Sequence, residues 1–286
     1  MTTSSQDHGA TPTGDRCFDS AGVALRYVEA GEGEPVVLLH SFCGNLERDF
    51  VRSGLLGALA QHYRVIALDL RGHGKSGKPH DPRRYGREMA LDVVRLLDHL
   101  QLQRAHVVGY SLGAHVVAQL LTLHPERFIT ATLGGAPGRR RWSEDDDRRI
   151  ATEAAEMARG EMRTQILRLW PKSAPPPSAA EIEARTRAYL RGNDPKALAA
   201  VRLANRDQVV SDAALAAAGV PTLGLVGSRD EYRDAFRELA RVMPQLTLVE
   251  IEGAAHGQAL ERAEFRDALL AFLQLSSRPR QAGKPA

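Results

Sequence analysis

The chain alternates between short apolar runs and longer stretches with helical spacing. Residues 22–29 alternate apolar and polar positions well enough for an opening strand, and the glycines at 31 and 33 supply a turn. The runs PVVLLH (35–40), RVIALDL (64–70), AHVVGY (105–110) and FITATLGG (128–135) are almost continuously apolar, as strands buried on both faces should be. Helical patterns fall between them. One covers 46–62. A second covers 85–102, with Met89, Val93, Leu96, Leu97 and Leu100 on one face, and a third starts directly after Tyr110 and ends at Pro125. From about 137 to 218 the alternation stops. Only helical segments remain there, with WPKSAPPPS, whose prolines break any helix. It resumes with VPTLGLVGS (220–228), a helix over 232–242, the strand LTLVEIE (246–252) and a closing helix over 258–275. This order predicts an α/β fold in which helices flank a mostly parallel central sheet, with a core of 16–136 and 219–275 and an inserted helical cap at 137–218.

Composition narrows the possibilities. At 286 residues, 43% of them hydrophobic, the chain can bury a sizeable core without disulfides or metals. The 38 basic and 35 acidic residues leave a net charge of only +3, and long basic runs are absent, so no nucleic-acid partner is expected. Arg139, Arg140 and Arg141 come nearest to such a run and read as a solvated surface cluster. Two cysteines, Cys17 and Cys43, give no disulfide framework and fit a reducing or a thiol-indifferent compartment. No apolar stretch approaches the roughly 20 residues that span a bilayer, so no membrane partner is expected. Residues 1–15 lack the basic and apolar regions of a signal peptide and read as a disordered polar leader, and 276–286 read as a flexible tail. The expectation is a cytoplasmic protein with a small-molecule partner.

Gly109-Tyr110-Ser111-Leu112-Gly113 matches G-x-S-x-G between a predicted strand and a predicted helix, where a nucleophile sits on a strained turn. A serine hydroxyl needs a base to take its proton. Of the ten histidines, His256 has the best address, in the loop between the last strand and the last helix. His115, one turn past Ser111, reads as packing or pointing sideways, and His73 as holding its glycine-rich loop. The third group should fix the imidazole tautomer, and Asp230 follows the strand at 220–228, in the order Ser…Asp…His. Glu231 is its rival. Two amide donors should meet a developing oxyanion. These are Leu112 N–H, directly after the nucleophile, and Phe42 N–H, in the loop after 35–40. Cys43 is given no role. No cofactor is expected, and no His/Cys spacing suggests a metal.

These residues resemble the α/β-hydrolase superfamily over about 16–275. LLHS, DLRGHGKS, GYSLG and GAAH occur in the family's order. The resemblance implies a lid between the strands ending near 135 and beginning near 220. Ser41 stands where the family usually has glycine, and serine does not freely adopt positive φ. Ser111 argues against the relatives that use an aspartate nucleophile, the epoxide hydrolases and haloalkane dehalogenases. Among serine-based relatives, hydrolysis of a small ester or lactone by a carboxylesterase-like enzyme ranks first. A carbon–carbon bond hydrolase of dicarbonyl substrates and a ligand-binding receptor with little turnover are the alternatives. Ser41, Tyr110, Trp142, Leu167, Trp170 and Tyr189 are candidates to line the substrate pocket. The acidic run at 144–147 reads as the first turn of a helix capped by Ser143.

Overall fold

The computed structural model describes residues 12, 14–170 and 174–277. The expected leader and tail lie almost wholly outside the described residues, as does part of the WPKSAPPPS segment. Eight strands form one sheet: β1 (Arg16–Asp19), β2 (Ala24–Ala30), β3 (Pro35–Leu39), β4 (Arg64–Leu68), β5 (Ala105–Tyr110), β6 (Phe128–Gly134), β7 (Thr222–Gly227) and β8 (Leu246–Ile251). Their spatial order is β1-β2-β4-β3-β5-β6-β7-β8. β1 and β2 form an antiparallel hairpin, β2 is antiparallel to β4, and every other pairing is parallel.

The apolar runs behave as expected of doubly covered strands. Val37 and Leu39 of β3, Ile66 and Leu68 of β4 and Val107 of β5 enter one core. Their neighbours Val36, Leu38, Val65, Ala67 and Val108 enter the other. On the first face pack α2 (Arg87–His99), α3 (Leu112–Leu123), α8 (Asp212–Ala217) and α9 (Arg233–Val242), through Met89, Val93, Val116, Leu215 and Phe236. On the second face pack α1 (Leu55–Leu59) and α10 (Ala263–Ser277), through Leu56, Leu59, Phe265, Leu269 and Leu273.

Three expectations are corrected. The opening strand is a hairpin, with β1 pairing four residues onto β2. The helix expected over 46–62 is a wide turn at Glu47–Val51 followed by the short α1. Arg52 N–H donates five residues back to Glu47, and Gly54, at φ 77°, ends the first segment before the second begins. The last helix runs to Ser277, into the expected tail.

Between β6 and β7 the chain makes a helical excursion through α4 (Glu144–Ala158), α5 (Arg163–Arg168), α6 (Ala179–Leu190), α7 (Pro195–Leu203) and then α8. Ser143 caps α4 and Ser178 caps α6, each in a reciprocal box with the acid three residues on. Asp194 caps α7 and Pro195 opens it. Met157, Met162, Ile166, Ile182 and Leu198 bury a small core of their own together with Cys43.

Candidate active site

Ser111 joins β5 to α3 at φ 53° and ψ −103°. A non-glycine residue in that region costs on the order of 1–3 kcal/mol and persists only where its surroundings enforce it. Here they do. Ser111 N–H donates to Gly134 O at 2.7 Å and Gly113 N–H to His40 O at 3.1 Å. A Cβ on Gly113 would lie 2.0 Å from Leu39 O, and one on Gly109 would lie 2.3 Å from the Gly113 carbonyl carbon. The two glycines of the motif let strand and helix approach closely enough to hold the serine strained.

His256 lies in the loop between β8 and α10, and Asp230 in the loop after β7. The sheet's parallel order delivers all three side chains to one edge. His256 Nδ1 is 2.9 Å from Asp230 Oδ2, and Ser111 Oγ is 2.9 Å from His256 Nε2. A carboxylate only accepts, so Nδ1–H donates to Asp230, and Nε2 is left to accept the serine proton. Tyr232 N–H donates to the other carboxylate oxygen, Asp230 Oδ1, at 3.0 Å. Glu231 turns away and meets Arg168 at 3.1 Å. Tyr110, between Gly109 and Ser111, donates its hydroxyl to the backbone oxygen of His256, tying the loop of the base to the strand of the nucleophile.

Phe42 and Leu112 both line the cavity at Ser111. Leu112 opens α3, where its N–H has no intrahelical acceptor. Ser41 takes the family's glycine position without strain, because the positive φ falls at Cys43, at 60°. Ser41 N–H and Oγ–H both donate to Asp49 Oδ2, at 2.8 and 2.6 Å. A Cβ on Gly44 would sit 2.7 Å from that oxygen and 2.8 Å from Ser41 Oγ. Leu70 N–H donates to His40 Nε2 at 3.0 Å, which leaves His40 Nδ1–H for Ser41 O at 2.8 Å. His73 contacts Arg71 O at 3.1 Å and packs edge-on against His40 and Phe42, holding the glycine-rich loop as expected. Burial, with His40 nearby, pulls His73 down to about 3. Burial pushes the Cys43 thiol up to about 12.

The pocket residues divide. Ser41, Tyr110 and Tyr189 line a branch of about 110 Å³ beside Ser111. Trp170 lines a groove on the outer side of Asp230 and His256. Leu167 is 41% exposed and lines none of these spaces. Trp142 also stands outside. Its indole lies 5.7 Å from the Arg139 guanidinium and donates to Asp147. Size and apolar character alone do not say which way a side chain faces: Leu167 points out from α5, and Trp142 lies in the chain before the cap of α4.

The cavity at Ser111, about 300 Å³, is strongly polar. Arg139, Arg149, Arg168 and Arg202 line it, with Gln165 and Asn205. The reading of 139–141 as a solvated cluster therefore needs correction. Only Arg141 is largely exposed. Arg140 is buried against Asp212 at 2.8 Å, and Arg139 faces the cavity. His115 also lines it, on the nucleophile's helix, and does not merely pack. Burial, with Arg139 and Arg202 adding to it, pushes His115 well below the ordinary histidine range.

Glu153 is fully buried and meets Arg202, Arg168 and Arg149 at 3.1, 3.2 and 3.4 Å. Burial alone would raise its pKa, but the arginines hold the carboxyl below its usual range. A signal for this wall was present in the chain. Glu153 falls on the buried stripe Ile150, Ala154, Met157 of α4, and Arg202 interrupts the apolar run of α7. A charge on an apolar stripe is rarely idle. Among the described residues no group of three or more His, Cys, Asp or Glu is placed to hold a metal ion. None of the described helices is long and apolar enough to cross a membrane.

The sheet order and the serine turn define an α/β protein of the hydrolase architecture. Residues 34–263 match the family model described as alpha/beta hydrolase fold, and the chain belongs to that family. It is 40% identical over 119 residues to the dihydrolipoyllysine-residue acetyltransferase component of the acetoin cleaving system of Cupriavidus necator, covering 40% of this chain and 30% of that protein. It is 32% identical over 128 residues to the 2-hydroxy-6-oxo-6-(2'-aminophenyl)hexa-2,4-dienoic acid hydrolase of Metapseudomonas resinovorans, covering 43% of each. The matches thus span less than half of these relatives' length. The enol-lactonase of Burkholderia xenovorans LB400 superposes with a TM-score of 0.73 at 26% identity, covering 91% of this chain and 100% of that one.

Proposed function

We propose that this chain is a serine hydrolase of a small carboxylic ester or lactone, carboxylesterase-like, working through an acyl-enzyme on Ser111. The observation that carries the reading is the continuous relay Ser111 Oγ–His256 Nε2, His256 Nδ1–Asp230 Oδ2, with both spacings at 2.9 Å. The superposition on an enol-lactonase supports the substrate class.

In the proposed mechanism His256 takes the Ser111 proton as Oγ attacks the substrate carbonyl. The Leu112 and Phe42 amides receive the oxyanion, and loss of one such donor costs about 10²- to 10³-fold in rate. His256 then protonates the leaving group, and the same residue activates the water that releases the acid. Asp230 holds the imidazole in the required tautomer and stabilises its cation. The helices at 137–218 act as the cap over this chemistry. The site of action is cytoplasmic, and neither a nucleic acid nor a membrane takes part.

The test is hydrolysis of p-nitrophenyl esters from acetate to octanoate, wild type beside Ser111→Ala. Turnover that vanishes in the variant is expected, and turnover that survives would overturn the reading. A vinylogous diketone acid belongs in the same assay, because one relative is named as the hydrolase of a 2-hydroxy-6-oxo-dienoic acid. A rate on it far above that on every ester would move the reaction to carbon–carbon cleavage. Absence of turnover on all of these, with tight small-molecule binding, would favour a receptor.

A further inference from the structure

Among the described residues the arginine wall carries more positive charge than the acids paired with it. Arg149 pairs with Asp146 at 2.5 Å and with Glu153, Arg168 with Glu153 and Glu231, and Arg202 with Glu153. These three acids are set against four guanidinium groups lining one cavity. Arg139 forms no ion pair among the described residues. Its Nε is buried with no hydrogen-bond partner, one terminal nitrogen meets the Asn205 amide oxygen at 3.3 Å once that amide is correctly oriented, and the guanidinium otherwise stands 5.7 Å from the Trp142 ring. Burial, reinforced by Arg202, Arg149 and Arg168 and opposed by Tyr232, pulls Arg139 down to about 10, so it stays charged near neutrality. Arg139 is half-buried with no ion-pair partner among the described residues, and such a charge is costly and calls for an explanation.

We propose that the cavity beside Ser111 recognises one negatively charged oxyanion group of the substrate, through Arg139 with Asn205 and Gln165 as neutral neighbours. The inference rests on the hydrolase reading for what happens next, but not for the binding itself. A carboxylate fits better than a phosphate, because the wall holds one uncompensated positive charge and a planar guanidinium matches a planar carboxylate. Neutral His115 suits the role as well, since it adds no further cation. The substrate class becomes an ester or lactone that carries a second, free carboxylate remote from the scissile carbonyl. Arg139 is then a specificity-determining residue.

The experiment has a binding arm and a turnover arm. The first titrates Ser111→Ala protein with monomethyl adipate, dimethyl adipate and inorganic phosphate by calorimetry. The monoacid should bind roughly 10- to 100-fold more tightly than the diester, the range expected of a charge-assisted hydrogen bond. Adding Arg139→Gln should remove that preference, while Arg139→Lys should keep part of it. The second arm compares kcat/KM for p-nitrophenyl hydrogen adipate and its methyl ester in wild type and Arg139→Gln, and the same preference should shrink.

Equal binding of monoacid and diester, or a preference unchanged in Arg139→Gln, overturns the inference even if esters are hydrolysed. Tighter binding of phosphate than of the monoacid overturns the assignment to a carboxylate. Selective binding of the monoacid with no turnover of any ester keeps this inference and overturns the hydrolase reading instead. If Arg139→Gln fails to fold, the wild-type comparison of acid and methyl ester decides alone.

Discussion

The sheet edge and the helical excursion build opposite sides of the same cavity by different means. At the sheet edge each functional group follows from its immediate chain neighbours: a strand ends, a glycine permits a close approach, and a side chain is left at the carboxyl end. In the excursion no local rule says what faces inward. Glu153 and Arg202 sit on helices of ordinary composition and become a charged wall only because α4, α5 and α7 converge. Chemistry carried by a strand turn is set locally, whereas recognition carried by packed helices is set by tertiary structure.

The largest expected effect separates the two regions directly. Asp230→Asn should reduce kcat by about 10³- to 10⁴-fold. Glu231→Gln, one residue on but turned toward the arginine wall, should change it by less than about tenfold. Steady-state kinetics of the pair checks this, and the reverse outcome would move the acid to Glu231. Next is Glu153→Gln, which strands three arginines around a neutral group. Breaking a buried ion pair from one side costs about 3–5 kcal/mol, and urea unfolding should show a loss of that order, larger than Asp230→Asn produces.

A smaller effect depends on pH. His73 and His115 have folded pKa values below the unfolded value of about 6.5. The unfolded chain therefore binds more protons than the folded one as pH falls below about 6.5. Their contribution is complete above that pH and is lost on acidification, for His73 down toward about 3, at up to about 1.4 kcal/mol per pH unit for each group. His73→Gln and His115→Gln should each flatten the decline of the urea midpoint between pH 6.5 and 4, and an unchanged slope would show that the burial does not act this way. The smallest effect is that of Tyr110→Phe. Losing its bond to the His256 carbonyl should cost about 1 kcal/mol, with kcat down a few-fold and KM unchanged. A rise in KM alone would assign Tyr110 to substrate contact instead.

The same contrast explains what the sequence disclosed. The strands, their doubly buried character, and the positions of Ser111, His256 and Asp230 are all written in contiguous residues. So is the serine cap of α4. The β1 hairpin strand was too short to show alternation. The break at Gly54 hides inside a run whose apolar spacing continues past it. Trp142 and Leu167 look like pocket residues by size, yet size does not fix facing, and the real lining is arginine. Arg139 was read with its neighbours as one basic run, but the chain turns the three side chains to three different environments.

The bond pair from Ser41 to Asp49 has a consequence for substitution in this loop. A glycine at 41 would leave the Asp49 carboxylate short of a hydroxyl donor, a side chain at 44 would collide with both partners, and a change at 49 would free the serine that it holds. The three positions depend on one another, so the costs of changing them are expected to be non-additive, unlike those of changes on the exposed faces of the helical excursion.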